Sequence, residues 1–387
     1  MKTLLPCTLK LKVFVLLIAG VNFVSCTNRE NADATHQDED VTKYVNPNLG
    51  PIDGKWLFYS PAALPFGMAK LTPYTNSLGN AGSSLPAGYD DTHTSIEGFG
   101  HMHEFQIGGL LIMPTTGKIA TSPGSLKKPD TGYRSRFEKK EETATTGYYA
   151  VKLKDYDIEA ELTATKNVGL HRYTFPASSD AHILFNIGRQ QGERNSMLDA
   201  NAKMISDTEL EGYIETYPDY NQLQDPDKHV KMFFAARLSK APKEIGSFNK
   251  TGYTSGNTQT DKTENGLIFT FSTIKDEKIE MQVCLSYTST ENAWLNMQKE
   301  TAHINFDQAR ENARAAWQNV LSKVQVSGGT KEDKIKFYTG LYHAVLGRGI
   351  KDQLNGQNLL YDEGEMQFSS EELTGSELKK EKMEPRT

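Results

Sequence analysis

Thr146–Pro176 reads TGYYAVKLKDYDIEAELTATKNVGLHRYTFP, and its period of two decides the fold. Tyr149, Val151 and Leu153 alternate with other residues, as do Ile158, Ala160, Leu162 and Ala164, and then Gly169, His171, Tyr173 and Phe175 before Pro176. Successive side chains of a strand point to opposite faces, so each run places its apolar members on one face. Lys154-Asp155 and Lys166-Asn167 break the runs where hairpin turns belong, which predicts antiparallel strands with one buried face.

Outward from this stretch the same pattern recurs. Ala181–Ile187, Val230–Leu238, Leu267–Ile274 and Ile279–Tyr287 read as further strands. With no helical periodicity between them, Tyr44 to about Tyr287 is expected to form a mainly β, antiparallel β-sandwich, with domain limits at 43–288. The period changes near Thr290. Ala309, Ala313, Ala316, Trp317, Val320, Leu321 and Val324 fall on one helical stripe, and Ile335, Tyr338, Leu341, Tyr342 and Val345 on another, with Thr330 as an N-cap. Residues 289–348 therefore read as a helical linker, or the start of a further domain, and 349–387 as a polar tail without an apolar face. Both stripes are expected to lack packing partners and to leave an apolar patch exposed.

At the other end, Lys2, Lys10 and Lys12 precede the apolar run Val13–Gly20, which is too short to span a bilayer comfortably and reads as an export signal. Phe23-Val24-Ser25-Cys26 resembles a bacterial lipobox. On that reading residues 1–26 are a lipoprotein signal peptide, Cys26 carries lipid, and 27–42 form a polar tether. The protein is then exported to the periplasm, the outer membrane or the cell surface, touching membrane only through the anchor. Cleavage as an ordinary signal peptide is the alternative. Cys284 is left alone in the mature chain, where it cannot close an intrachain disulfide, and its strand-like setting predicts a buried thiol. The 387 residues carry 43 Lys+Arg against 49 Asp+Glu, a net charge of -6, and no basic block, which argues against nucleic acid as a partner.

Two stretches are too rich in Gly, Pro and His for plain strands: residues 44–73 and 88–117. The second gathers His93, His101 and His103 with Asp90, Asp91, Glu97 and Glu104. His101 and His103, two apart, would share a face of a strand as a metal pair does, with Asp90, Asp91, His93 or Glu104 as a third ligand. Polar structure, or sugar contacts, is the blander reading of the same residues. Trp56, Phe58, Tyr59, Tyr74, Tyr89 and Phe99 add the aromatic faces that sugar sites use, though about half of such residues belong to cores.

These segments are similar to glycoside hydrolase family 92, the calcium-dependent exo-acting α-mannosidases. YVNPNLG, SPAALPFGMAKLTP, IEGFGHMH, LLIMPTTG, the opening Thr146–Pro176 stretch and KIKFYTGLYHAVL carry the resemblance, in the family's order, over about Val41–Asp362. It implies a sandwich, linker helices and then an α/α toroid that this chain lacks, so that the chain represents the N-terminal half. It also implies inverting hydrolysis by a Glu acid and an Asp base, with calcium as cofactor. The family places those groups and most calcium contacts in the toroid, so no catalytic or metal residue is assigned here. Terminal α-mannose of glycans such as N-glycans is the implied substrate. By correspondence, Asp53, Trp56, Tyr89, Asp91, His101, His103 and Glu104 are expected to face the site as substrate-contact or positioning residues. GPIDG and GHMHEFQIGG depart from the family's loops and leave linkage preference open. A sandwich that binds carbohydrate without cleaving it is the alternative, and a zinc hydrolase built on His101 and His103 a third.

Overall fold

The computed structural model describes residues 39–50, 59–78, 88–101, 109–190, 196–217, 229–261, 265–346, 359–362 and 365–368. Two antiparallel sheets dominate. The first runs, edge to edge, through Ala62–Ala63, Lys70–Tyr74, Gly98–Gly100, Leu111–Thr116, Ser178–Asn186, Gly266–Thr273, Glu244–Asn249 and Gly252–Ser255. The second runs through Gln259–Asp261, Ser196–Met204, Glu209–Tyr217, Val230–Leu238, Glu277–Ser286, Val168–Phe175, Ile158–Ala164, Tyr148–Leu153 and Thr143–Thr145. The stretch that opened the sequence reading forms three adjacent strands of this sheet, with Tyr173 opposite Ala160 on one side and Ile279 on the other.

The sheets meet face to face over one core. Phe185 of the first lies 5.4 Å, ring to ring, from Phe234 of the second, and Phe99 lies 6.2 Å from Tyr173. Alternation therefore identifies the inner face correctly. The outer face of the second sheet differs from expectation, because it too is covered. Among the described residues, three helices follow the sandwich: α1 (Thr290–Thr301), α2 (Phe306–Leu321) and α3 (Lys331–Leu346). Tyr148, Ala150, Val168, Leu170, Ala235 and Cys284 of the sheet bury against Ala293 and Met297 of α1 and Phe306 and Ala309 of α2. Cys284 is a buried free thiol in this second core, as its setting predicts.

The same interface holds charge. Arg172 makes a bidentate pair with Glu161, at 2.7 Å from each nitrogen, and reaches Asp307 of α2 at 2.8 Å while its guanidinium lies over the Phe306 ring. Gly147, with φ +80°, turns the chain so tightly against α2 that a Cβ there would stand 2.6 Å from the Ala313 Cβ.

The helical stripes are not partnerless, and that expectation is corrected. Trp317 and Leu321 of α2 and Tyr338, Tyr342, Val345 and Leu346 of α3 bury together with Val41, Tyr44 and Ala63. The Trp317 indole donates to the Ala63 carbonyl at 2.7 Å, and its ring lies 4.5 Å from Tyr342. The partner that the stripe needed is the 3-10 turn Val41–Tyr44, so Val41 and Thr42 belong to the folded body and not to a tether. Thr330 and Asp333 cap α3 reciprocally, the Thr330 hydroxyl accepting from the Asp333 amide at 3.2 Å. Farther on, Leu359–Asp362 and Glu365–Phe368 pair as an antiparallel hairpin inside the stretch read as a polar tail. No helix among the described residues is long and apolar enough to cross a membrane.

Candidate substrate-facing rim of the sandwich

Of the residues singled out by sequence, Tyr89, Asp91 and His101 are described; Asp53, Trp56, His103 and Glu104 lie outside the described residues, as does Cys26. The structure separates the three. Tyr89, Asp90, Asp91 and His93 sit half-buried on the loop 88–94, whereas His101 lies between the sheets with no exposure.

The loop is pinned from below. Thr75 accepts from the Asp90 amide at 2.9 Å and meets His93 Nδ1 at 3.0 Å, and the Asp90 carboxylate caps Thr92 through both the amide and the hydroxyl. Beneath it Glu97, fully buried, accepts from Arg189 at 2.6 Å, Arg134 at 3.2 Å, the Ser77 hydroxyl at 2.8 Å and the Ser77 amide at 3.1 Å. Arg134 also donates to the Thr75 carbonyl at 2.9 Å and to Ser95 at 3.1 Å. A carboxylate buried without partners would be costly; with four donors it fixes the ends of three segments in register.

Beside the loop lies a group that the sequence reading missed. Glu142, almost wholly buried, accepts from the Tyr89 hydroxyl at 2.8 Å and the Tyr59 hydroxyl at 3.2 Å. The two rings stack at 4.1 Å, and the Lys139 ammonium lies 4.1 Å from the Tyr89 ring centre. Lys139 also donates to the Tyr89 hydroxyl and faces Glu142 at 3.8 Å. Burial and the Glu142 charge hold the Tyr89 phenol well above its ordinary value, so it stays a neutral donor. Burial draws the Lys139 ammonium down, against the pull of Glu142 and Asp91. The Tyr89 hydroxyl thus ties Lys139 to Glu142, and Asp91, His93 and Lys139 are the candidate polar groups for a ligand. Lys139 and Glu142 were invisible because Lys139-Lys140-Glu141-Glu142 reads as a solvated charge run.

His101 has a different role. Its Nε2 lies 2.7 Å from Nε2 of His171, whose Nδ1 lies 2.8 Å from the Tyr173 hydroxyl. Burial lowers the His101 pKa to about 3 and that of His171 well below the usual value, so both rings are neutral. Gly169 makes room for the pair, since a Cβ there would stand 2.9 Å from the His101 ring. His101 thus has its nitrogen on another histidine in the sandwich interior, and among the described residues no group of three or more His, Cys, Asp or Glu could hold a metal. Calcium asks for six to eight oxygens. Glu97, Glu142 and Asp90 already accept from arginines, tyrosines and a threonine, so these three carboxylates are not free to ligate the ion.

A rim of this kind can bind a polar ligand, but its carboxylates are held by partners. Glycosidic cleavage needs two carboxyl groups facing each other across the sugar, and Glu97 and Glu142 are both committed elsewhere.

Comparison with known proteins supplies the class that this fold suggests. The model of the glycosyl hydrolase family 92 N-terminal domain matches residues 44–286, and that of the family's catalytic domain matches 292–377. This chain belongs to glycosyl hydrolase family 92. The catalytic-domain match takes in most of α1, all of α2 and α3, and much of the stretch read as a polar tail. A family 92 α-mannosidase from Bacteroides thetaiotaomicron, solved in complex with mannoimidazole, superposes with a TM-score of 0.74 and 27% identity, covering 85% of this chain and 44% of that one. An inverting mannosidase of the family from the same organism gives 0.69 at 22% identity, covering 85% and 43%, which shows the fold. An uncharacterized secreted glycosidase of Arthroderma benhamiae is 25% identical over 368 residues, 87% of this chain and 45% of that protein. The chain thus spans a little under half the length of these relatives.

Proposed function

We propose that this protein is a family 92 glycosidase that removes terminal α-linked mannose from glycans such as N-glycans, exo-acting and inverting, with the sandwich rim as one wall of the substrate pocket. The observation that carries this reading is the 27% identity, along 85% of the chain, to an α-mannosidase solved with mannoimidazole. The rim suits that part: Asp91 and Lys139 offer an acceptor and a donor for sugar hydroxyls, and Tyr89 and Glu142 hold Lys139 in place. Neither the general acid nor the base is assigned to the described residues, nor are the ligands of the calcium that the reaction is proposed to need. Anchoring through a lipid on Cys26 after export belongs to the same proposal.

Incubating the protein with α1,2-, α1,3- and α1,6-mannobiosides and calcium tests the reading. Mannose released first as the β-anomer, lost on chelation and restored by calcium, is the expected result. Saturable binding without release would overturn hydrolysis by this chain, and absence of both would overturn the carbohydrate assignment. Mass spectrometry of the exported protein for a diacylated Cys26 N-terminus checks the anchor.

A further inference from the structure

Beneath the loop 88–94, the Thr75 hydroxyl decides which ring nitrogen of His93 carries the proton. Thr75 is fully buried, and its carbonyl is held by Arg134 at 2.9 Å. Its hydroxyl has one proton to give and two lone pairs to offer. One lone pair takes the Asp90 amide at 2.9 Å. The proton has two acceptors within reach, the Gly88 carbonyl at 3.1 Å and His93 Nδ1 at 3.0 Å.

The Gly88 carbonyl is already full. It accepts from the Thr75 amide at 3.0 Å and the Asn76 amide at 3.1 Å, where Asn76 and Gly88 form an antiparallel bridge. A carbonyl oxygen has two lone pairs, so a third donor would have to share one of them. The hydroxyl proton therefore goes to His93 Nδ1. In a neutral imidazole with Nδ1 accepting, the ring proton sits on Nε2. Burial draws the His93 pKa below its ordinary 6.5; Asp90 and Asp91 on its own loop oppose this, and Arg134 and Lys139 across from it add to it. The ring is thus neutral near neutral pH. Its Nε2 makes no bond among the described residues and is not sealed from water. Held from behind by a buried hydroxyl, the ring cannot exchange tautomers or turn over without losing that bond. It offers a donor of fixed direction, in the company of the Lys139 ammonium and the Asp91 carboxylate. Two nearby carboxylates disfavour an anion opposite it, so an uncharged oxygen is the acceptor that suits it.

We propose that His93 is a further substrate-contact residue of the rim, its Nε2–H donating to a sugar hydroxyl or ring oxygen, and that Thr75 is the positioning residue that fixes it in this role. The inference rests on the reading of the rim as a substrate wall.

Long-range proton–nitrogen NMR of the whole chain reads the tautomer, and titration with methyl α-mannoside reads its use, with circular dichroism to confirm folding. The expected spectrum has His93 neutral, with its proton on Nε2. Thr75→Val keeps the shape and removes the hydroxyl; it should mix the tautomers and raise the His93 pKa, because the neutral ring loses its donor, and Thr75→Ser should restore both. His93→Ala should weaken methyl α-mannoside about three- to tenfold, the worth of one neutral hydrogen bond. His93→Gln, whose amide can donate near the Nε2 position, should recover most of that loss. A proton on Nδ1, a tautomer indifferent to Thr75→Val, or an affinity unchanged by His93→Ala would each overturn the inference while leaving the substrate wall standing. If Thr75→Val unfolds, the spectrum of the native protein and the His93 variants decide without it. A native protein with its proton on Nε2 that binds no methyl α-mannoside would overturn the substrate wall, and the His93 contact with it.

Discussion

Replacing Trp317 by alanine should undock the helical layer from the sandwich. Trp317 is fully buried, and emptying a site of that size destabilises proteins by about 3–5 kcal/mol. Its indole also satisfies the Ala63 carbonyl at 2.7 Å, and an acceptor left alone in that interior adds about 1–3 kcal/mol. A total loss of about 4–6 kcal/mol is expected, allowing for partial rehydration of the carbonyl, and this approaches the whole stability of a modest domain. Trp317→Phe separates the two parts, since it keeps most of the ring and removes only the donor; about 1–3 kcal/mol is expected from it. Urea titration followed by far-ultraviolet circular dichroism gives the free energies, and hydrogen exchange locates the damage. Amides of α2, α3 and the Val41–Tyr44 turn should lose protection before those of the sheets. If Trp317→Ala leaves the midpoint and the α2 amides unchanged, or if the native protein already binds a hydrophobic dye strongly, then the stripes are partnerless in solution and the packing argument fails.

The remaining predictions concern buried charge and close approach. The folded-state pKa of His101 is about 3 and that of His171 is also depressed, both below the unfolded value of 6.5. Their contribution is therefore present above pH 6.5 and lost as pH falls below it; between pH 6.5 and 5.0 the His101 ring accounts for about 2 kcal/mol, and His171 acts in the same direction. The double variant His101→Gln, His171→Gln should show a flatter fall of urea stability over that interval, and an unchanged slope would refute the neutral pair. Glu97→Gln keeps the shape but strands Arg134 and Arg189, and should lower stability by about 3–5 kcal/mol in denaturant titration; a loss under about 1 kcal/mol would show that water reaches the site. Gly147→Ala forces a left-handed residue against Ala313, so a loss of about 2 kcal/mol or more is expected. Adding Ala313→Gly should recover part of it in a double-mutant cycle, and simple additivity would count against the contact.

How much of this was legible depends on the range of each interaction. The inner strand faces were plain, because alternation is written residue by residue and the core selects it. His171 could be read as buried, since it alternates with Gly169, Tyr173 and Phe175; that its partner is His101, 70 positions earlier, is a fact of sheet packing that no spacing shows. His101 was drawn instead towards His103 by a two-residue spacing that suits a strand metal pair equally well. Arg134, Arg189 and Glu142 stayed hidden because a charged residue in a polar segment looks solvated until the fold buries it. Trp317 announced a partner without naming it, for the partner turn Val41–Tyr44 lies in a stretch whose composition resembles a linker.

That turn also changes what the helices are. As a linker they would leave the sandwich free to reorient. Here Arg172 crosses from the sheet to Asp307, Tyr148 and Ala150 bury under Phe306 and Ala309, Gly147 admits Ala313, and Trp317 hangs from Ala63. These contacts occupy successive turns of α2, so the helix cannot tilt without breaking several at once, and closely packed interfaces rearrange in discrete steps and resist continuous sliding. The family's catalytic-domain match begins at residue 292, inside α1. The boundary between the two family domains therefore runs through a single packed body. Whatever α1 and α2 orient is therefore held in register with the strands of the second sheet, which is what the proposed substrate wall needs in order to act as one rigid piece with the helices.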